Sequence, residues 1–222
     1  MEFVHALFEP SGDGPHPTVL ALHGWGASAL DLLGLAPYIC DGRFLVICPQ
    51  GSLEVPIGGG AVGYGWIPLK MGSPTDLKTL LSARDRLQTF LAQALARYPI
   101  DREKLVVLGF SQGGAMAYSL ALGEPDRFRA LVSMSSWLSQ ELVDALPLKA
   151  TVQFPPALVQ HGERDELIAV DRARESIERL RKLCVPVTYR EYDMGHEISP
   201  RSLVDLSAWL GEKVLSPIIV TK

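Results

Sequence analysis

A serine set among glycines, in Gly109-Phe110-Ser111-Gln112-Gly113-Gly114, is the best-placed nucleophile in this chain. It follows the apolar run Leu105–Phe110 and precedes a helical pattern over Gln112–Leu122. A sharp strand-to-helix turn there lifts the Ser111 hydroxyl above a sheet edge, and the glycines two before and two after let neighbouring backbone come close. The helix that starts at the serine aims unpaired N–H groups and the positive end of its dipole at developing negative charge.

A serine hydroxyl needs a base. Of five histidines, His5 lies in the first strand-like run and His16 in the loop Gly12–Pro17, while His23 and His161 each precede a glycine at a strand end. His196 sits in Tyr192-Asp193-Met194-Gly195-His196-Glu197-Ile198, after the last strand and before the last helix. When the groups run nucleophile, acid, histidine along the chain, the base follows both the serine and an acid. His161 and His196 follow Ser111, and only His196 has strand-end acids in between. The orienting acid belongs just past the strand Ala157–Gln160. Asp165 is favoured there, with Glu163, Glu166, Asp171 and the more distant Asp193 left open by position. A fourth element, Leu22-His23-Gly24-Trp25-Gly26, closes another strand with a turn able to aim the Trp25 N–H at an oxyanion, its partner being the N–H of Gln112. His23 is read as a brace of that turn.

Elements that can hold these groups are written in the hydrophobic pattern. Strand-like runs cover Glu2–Phe8, Thr18–Leu22, Phe44–Cys48, Leu105–Phe110, Ala130–Met134, Ala157–Gln160 and Val187–Tyr192, several of them apolar at successive positions. That pattern suits a parallel sheet covered on both faces. Helical periodicity runs from Asp76 to Tyr98, where Pro99 ends it, and from Val170 to Leu183, with shorter candidates at Ala29–Ile39, Gln112–Leu122 and Arg201–Leu210. The alternation predicts an α/β fold with a mostly parallel, doubly wound sheet, in a single domain over residues 1–222. Residues 49–74, with seven glycines, several prolines, Tyr64 and Trp66, break the rhythm. A structureless loop of this length is either a flexible surface loop or a substrate-side flap, and the flap is favoured because aromatics among glycines need something to cover. Tyr64 and Trp66 are expected to form one wall of the acyl site, because the loop leaves its strand at the sheet edge where ligands bind.

Composition narrows the alternatives. The 222 residues carry 21 basic and 25 acidic side chains, a formal charge of −4, and no basic stripe to neutralise phosphates, which argues against nucleic-acid binding. No apolar run approaches the roughly 20 residues of a membrane span, and the start Met1–His5 lacks a basic region ahead of an apolar one; a cytoplasmic protein is expected. Cys40, Cys48 and Cys184 have no metal-type spacing, and Cys48 lies inside an apolar run as a buried, inert thiol. There is no H-E-x-x-H and no dinucleotide glycine fingerprint, so no metal and no cofactor is expected.

With these four elements in order, the chain resembles the phospholipase/carboxylesterase family of α/β-hydrolases, which includes acyl-protein thioesterases and bacterial carboxylesterases. The residues that carry the likeness are Leu22–Gly26, Gly109–Gly114, His161-Gly162-Glu163-Arg164-Asp165 and Met194-Gly195-His196-Glu197. The likeness covers nearly the whole chain. It implies Ser111, Asp165 and His196 as a catalytic triad, Trp25 and Gln112 as oxyanion donors, and no separate cap domain. Glycine is richer over Gly58–Gly65 than in the thioesterase members, and a tryptophan stands at 25 where a smaller aliphatic residue is common. The expected activity is hydrolysis of short- to medium-chain carboxylic esters, small molecules, through an acyl-serine. An acyl thioesterase or lysophospholipase for longer chains would use identical machinery. A ligand sensor on this fold would be expected to lack a triad member, and none is missing. A homodimer is compatible with the sequence, which leaves oligomeric state open.

Overall fold

Seven of the apolar runs assemble into one sheet. The computed structural model describes residues 3–69, 76–146 and 152–216. The strands of the main sheet are β1 (His5–Phe8), β2 (His16–Leu22), β3 (Leu45–Pro49), β6 (Ile100–Phe110), β7 (Ala130–Met134), β8 (Ala157–Gly162) and β9 (Val187–Tyr192). Their order is β1-β3-β2-β6-β7-β8-β9, with β1 antiparallel and every other pairing parallel. Alternate residues of each central strand feed two cores. Leu20, Leu22, Leu105, Val107, Leu131 and Val159 pack on one face, and Val19, Ala21, Val106, Leu108, Val132 and Leu158 on the other. Both faces are covered, which is why these strands read as continuous apolar runs rather than as alternating ones.

The helices are α1 (Leu77–Arg97), α2 (Gln112–Gly123), α3 (Gln140–Ala145), α4 (Val170–Lys182) and α5 (Pro200–Leu210). Phe90 and Leu91 of α1, Met116 and Tyr118 of α2, and Ile177 and Leu180 of α4 enter the first core; Leu206 and Trp209 of α5 enter the second. Winding on both faces requires the chain to reverse direction across the sheet. It moves outward from β2 to β3 and later returns to β6 on the other side of β2. The switch point, where the C-terminal ends of β2 and β6 open a crevice, is the usual ligand position of such sheets.

Three expectations are corrected. Ala29–Ile39 is not an α-helix; a 3₁₀ segment, Leu32–Tyr38, takes its place, and Gly34 and Pro37 within it weaken an α-helical ladder. Residues 49–74 are not a structureless loop. A second, two-stranded sheet, β4 (Leu53–Gly58) and β5 (Ala61–Gly65), forms an antiparallel hairpin there. Gly58, Gly59 and Gly60 turn it at φ of 91°, 60° and 78°, a run of left-handed backbone only glycine adopts freely. Residues 70–75 of that stretch lie outside the described residues. His16 is not in a loop but begins β2, buried, and α3 was unforeseen.

Candidate active site

Ser111 stands between β6 and α2 with φ 53° and ψ −120°, left-handed backbone on a residue with a side chain. Such a conformation costs about 1–3 kcal/mol and persists only where neighbours fix it. Here the Ser111 N–H donates to the Met134 carbonyl (2.9 Å) and its own carbonyl accepts from Gly114 N (2.9 Å) and from the Ser136 hydroxyl (2.6 Å). The hydroxyl of Ser111 makes no capping bond to the helix it starts, although serine at that position ordinarily does. It is left free for other partners. Gly109 and Gly113 make the elbow possible, because a Cβ on either would overlap backbone: that of Gly113 for the first, that of Leu22 for the second.

The turn after β2 lies alongside. A Cβ on Gly24 would stand 3.3 Å from the Ser111 Cβ. His23 is 1% exposed and neutral, since its Nε2 accepts from the Gly51 N–H (2.9 Å) while Nδ1 carries the proton and donates to the Gly24 carbonyl (2.7 Å). The next amides are engaged, Gly26 N with the Tyr64 carbonyl (2.8 Å) and Ala27 N with Gly24 (3.4 Å), so the Trp25 N–H sits in a turn held on both sides. The Gln112 N–H is the first of α2, one of the amides a helix cannot satisfy internally.

The acid and base meet at the ends of β8 and β9. His196 Nδ1 donates to Asp165 Oδ2 (2.8 Å), and Asp165 Oδ1 accepts from the Leu167 and Ile168 N–H groups (2.9 and 2.8 Å). The Asp165 carboxylate is fully buried. Glu163 and Glu166 are exposed, and Asp171 and Asp193 are exposed with arginine partners, Arg174 and Arg164. Among the described residues the carboxylate on His196 is therefore Asp165. The Phe110 ring, one residue before Ser111, packs 4.9 Å from the imidazole and holds His196 beside the elbow. An open cavity of ≈ 430 Å³ adjoins His196, walled by Arg164, Glu166, Leu167 and Gly195. Larger hollows of ≈ 530 and ≈ 640 Å³ border the starts of β6, β7 and β8, at the opposite end of the sheet from Ser111.

The two aromatics expected at the acyl wall part company. Tyr64 is half-buried on β5, bonded through its backbone to Gly26 and Ala27. Trp66 is 4% exposed, edge-on to Phe3 and tilted over His23 at 4.9 Å, with its indole N–H on the His23 carbonyl (2.8 Å). It is a core residue beneath the turn, a place the glycines around it did not suggest. Sequence reasoning also missed the packing of Phe110 on His196, the Ser136 bond and the place of His161. That histidine is fully buried, with Nε2 donating to the Ile168 carbonyl (2.7 Å) and 3.3 Å from Asp165 Oδ2. The one trace of it in sequence is the His-Gly pair it shares with His23. Among the described residues no group of three or more His, Cys, Asp or Glu is arranged for a metal ion, and no helix is long and apolar enough to cross a membrane. Burial pushes the Cys48 thiol up to about 12, in keeping with an inert core residue.

Burial also lowers the protonation range of His23 and His161 below the ordinary value of 6.5. The unfolded chain then binds more protons than the native one as pH falls below 6.5, so stability is full above that pH and is lost below it. Urea titrations at pH 7.5 and 5.5 should show the loss, at most about 1.4 kcal/mol per pH unit for each histidine. The His161→Gln variant should have a shallower acid slope; an unchanged slope would show that this histidine does not contribute.

A seven-stranded, mostly parallel sheet with helices on both faces, crossed as described, is the α/β-hydrolase fold. Solved structures agree: esterase PE8 superposes with a TM-score of 0.83 over 96% of this chain and 100% of its own at 24% identity, and the Bacillus cereus carboxylesterase with 0.77 over 95% and 94% at 21%. The model of the phospholipase/carboxylesterase family matches residues 5–213, and the chain belongs to that family. Acyl-protein thioesterase 1 of Gibberella zeae is 29% identical over 205 residues, covering 86% of this chain and 85% of that protein. Carboxylesterase SOBER1 of Arabidopsis thaliana is 25% identical over 163 residues, 70% of each. The protein is a hydrolase of this carboxylesterase and thioesterase family.

Proposed function

We propose that the protein is a serine carboxylesterase acting on short- to medium-chain carboxylic esters through an acyl-serine intermediate. The observation that carries the reading is the His196–Asp165 bond set beside a strained serine whose hydroxyl does not cap its helix. His196 Nε2 takes the Ser111 proton as Oγ attacks the ester carbonyl. Asp165 holds the Nδ1–H tautomer and stabilises the imidazolium. The negative charge of the tetrahedral intermediate rests on the N–H groups of Trp25 and Gln112. His196 then protonates the departing alcohol, and water repeats the attack on the acyl-serine with the same base. Beyond the ester and the attacking water, each step is assigned to side chains and amides of this chain.

The short acyl limit is argued from bulk. The Trp25 indole lies over Gly65, where a Cβ would come within 2.5 Å of the ring, so it fills space beside the oxyanion turn. The cavity at His196 has charged walls, Arg164 and Glu166, rather than a long apolar lining. For the acyl wall, Tyr64 and the exposed Ile57 of the hairpin remain, Ile57 lying against Gly26 of the turn; Trp66 is too buried to offer more than an edge. Rates on nitrophenyl esters of increasing acyl length, with a palmitoyl thioester and a lysophospholipid alongside, test this. We expect kcat/KM to peak at short or medium chains and fall by about 10-fold or more at long ones, the size set by a few mismatched methylenes. The palmitoyl thioester outrunning every short ester would instead give the protein to the thioesterase reading, which its relative of that name also favours.

A further inference from the structure

A backbone N–H cannot be aimed without its peptide plane, and a trans peptide points its C=O opposite to its N–H. The Trp25 N–H shares its plane with the Gly24 carbonyl, and the Gln112 N–H shares its plane with the Ser111 carbonyl. Besides backbone bonds from Ala27 to the first and from Gly114 and Ala115 to the second, each of those carbonyls accepts a bond from a buried side chain, one adjacent in sequence and the other 25 residues away. The Gly24 carbonyl takes the Nδ1–H of His23 at 2.7 Å, and the Ser111 carbonyl takes the hydroxyl of Ser136 at 2.6 Å. His23 and Ser136 are each 1% exposed. The proposed mechanism has no proton for either to move.

We infer that His23 and Ser136 are positioning residues for the oxyanion hole, each gripping the carbonyl end of one of the two peptides whose N–H groups hold the transition-state charge. The inference rests on the reading of Trp25 and Gln112 as those donors. Gripping the carbonyl fixes the tilt of the plane, and so the direction of the N–H. A hydrogen bond at the carbonyl also polarises the peptide and makes its N–H a stronger donor. Both effects matter most when charge develops, so they act on the transition state rather than on ground-state binding.

The two grips are themselves held. His23 can donate from Nδ1 only in the tautomer whose Nε2 is bare, and the Gly51 N–H at 2.9 Å selects that tautomer. The Trp66 ring tilts over the imidazole, and its indole N–H secures the His23 carbonyl. Trp66 is tied in turn to Gln112, whose side-chain oxygen accepts from the Trp66 N–H (2.7 Å) and whose amide donates to the Ile67 carbonyl (2.9 Å). Gly51 and Trp66 flank the β4–β5 hairpin, so the base of the hairpin links both donor peptides. Ser136 follows β7, beside the Met134 carbonyl that holds the Ser111 N–H. Its Cβ packs where a side chain on Gly114 would stand, which leaves the hydroxyl little freedom to turn elsewhere.

The test compares Ser136→Ala, His23→Leu and His23→Asn with wild type, using kcat and KM for the best ester, Ki for an alkyl boronic acid that forms a tetrahedral adduct with a serine, and Tm. Ser136→Ala should lower kcat by about 10-fold and His23→Leu by about 100-fold, bounded by the loss known for deleting a whole oxyanion donor. KM should stay within about 2-fold, and the boronate Ki should rise in step with the lost kcat/KM. His23→Asn, whose amide can still donate to the Gly24 carbonyl, should recover most of the rate lost in His23→Leu. Three outcomes would overturn the inference: unchanged kcat in Ser136→Ala, a Ki that does not move while kcat falls, or His23→Asn no better than His23→Leu at equal Tm. Where His23→Leu fails to fold, Ser136→Ala and His23→Asn decide alone, the latter then expected within about 10-fold of wild type. A wild type that the boronate does not inhibit would mark failure of the underlying serine and oxyanion reading, a result separate from these three.

Discussion

Replacing Ser111 with alanine should lower ester hydrolysis by about 10⁶-fold, the scale on which a serine hydrolase loses its nucleophile. The protein itself should stay folded. The Ser111 hydroxyl makes no capping bond that alanine would forfeit, and the bonds that hold the elbow run from the backbone of residue 111 to Met134, Gly114 and Ser136. Alanine also carries a Cβ, so the left-handed backbone at φ 53° is no worse for it than for serine. A change in Tm of only a degree or two is expected beside the lost activity. A fluorophosphonate should label the wild type at residue 111 and leave the variant unlabelled. Ser119 and Ser135 are the instructive controls, both fully buried, with the Ser119 hydroxyl already donated to the Met116 carbonyl. Label on either, or hydrolysis surviving in Ser111→Ala, would remove the serine from the mechanism.

What could be read from sequence divides along a physical line. Elements whose signal is local and repeated were legible: Leu105–Leu108 as a strand buried on both faces, Val170–Lys182 as a helix with an apolar stripe, and the strand–Ser111–helix junction, whose glycines answer to steric overlap within a few residues. The hairpin was not, because Pro56, with no N–H to donate, argues against a strand although Leu53, Val55 and Ile57 alternate, and Ala61, Gly63 and Gly65 give β5 little strand character. Helix α3 has six residues, too few for periodicity, and only its Ser139 cap announces it. Contacts made through tertiary folding were invisible for a deeper reason. Trp66 reads as an exposed aromatic among glycines until the hairpin delivers it onto His23, 43 residues away, and Ser136 reads as one of several serines until β7 sets it behind the elbow. Position along the chain can nominate strand-end groups such as Ser111, Asp165 and His196, and even His23 as a brace of its own turn, because each is read against its immediate neighbours. A holding contact that forms only when distant strands meet, as Ser136 makes with the Ser111 carbonyl, has no local signal.

The acid is where a single atom exchange should tell most. Asp165→Asn should reduce kcat by about 10⁴-fold while leaving the shape of the site almost unchanged. The direction of the effect follows from the bonds around the carboxylate. Oδ1 accepts two backbone N–H groups, from Leu167 and Ile168, and an asparagine must keep its oxygen there because an NH₂ cannot accept. The NH₂ then falls at the Oδ2 position and faces His196 Nδ1, which donates in the wild type. To avoid two opposed donors the imidazole takes the other tautomer, with its proton on Nε2, and in that form it cannot accept the proton of Ser111. The same NH₂ comes 3.3 Å from His161 Nε2, whose own proton goes to the Ile168 carbonyl, so a modest fall in Tm should accompany the loss. Glu163→Gln and Glu166→Gln are the matched controls from the same loop, both exposed and neither bonded to His196, and each should keep kcat within about 2-fold of wild type, while Glu166→Gln, at the cavity wall, is free to change KM. Near-normal turnover in Asp165→Asn, with collapse in either glutamine variant, would move the orienting role to that glutamate. A fall in all three with a common drop in Tm would assign the loop to stability instead. With the tautomer argument, only Asp165→Asn loses its rate while its fold holds.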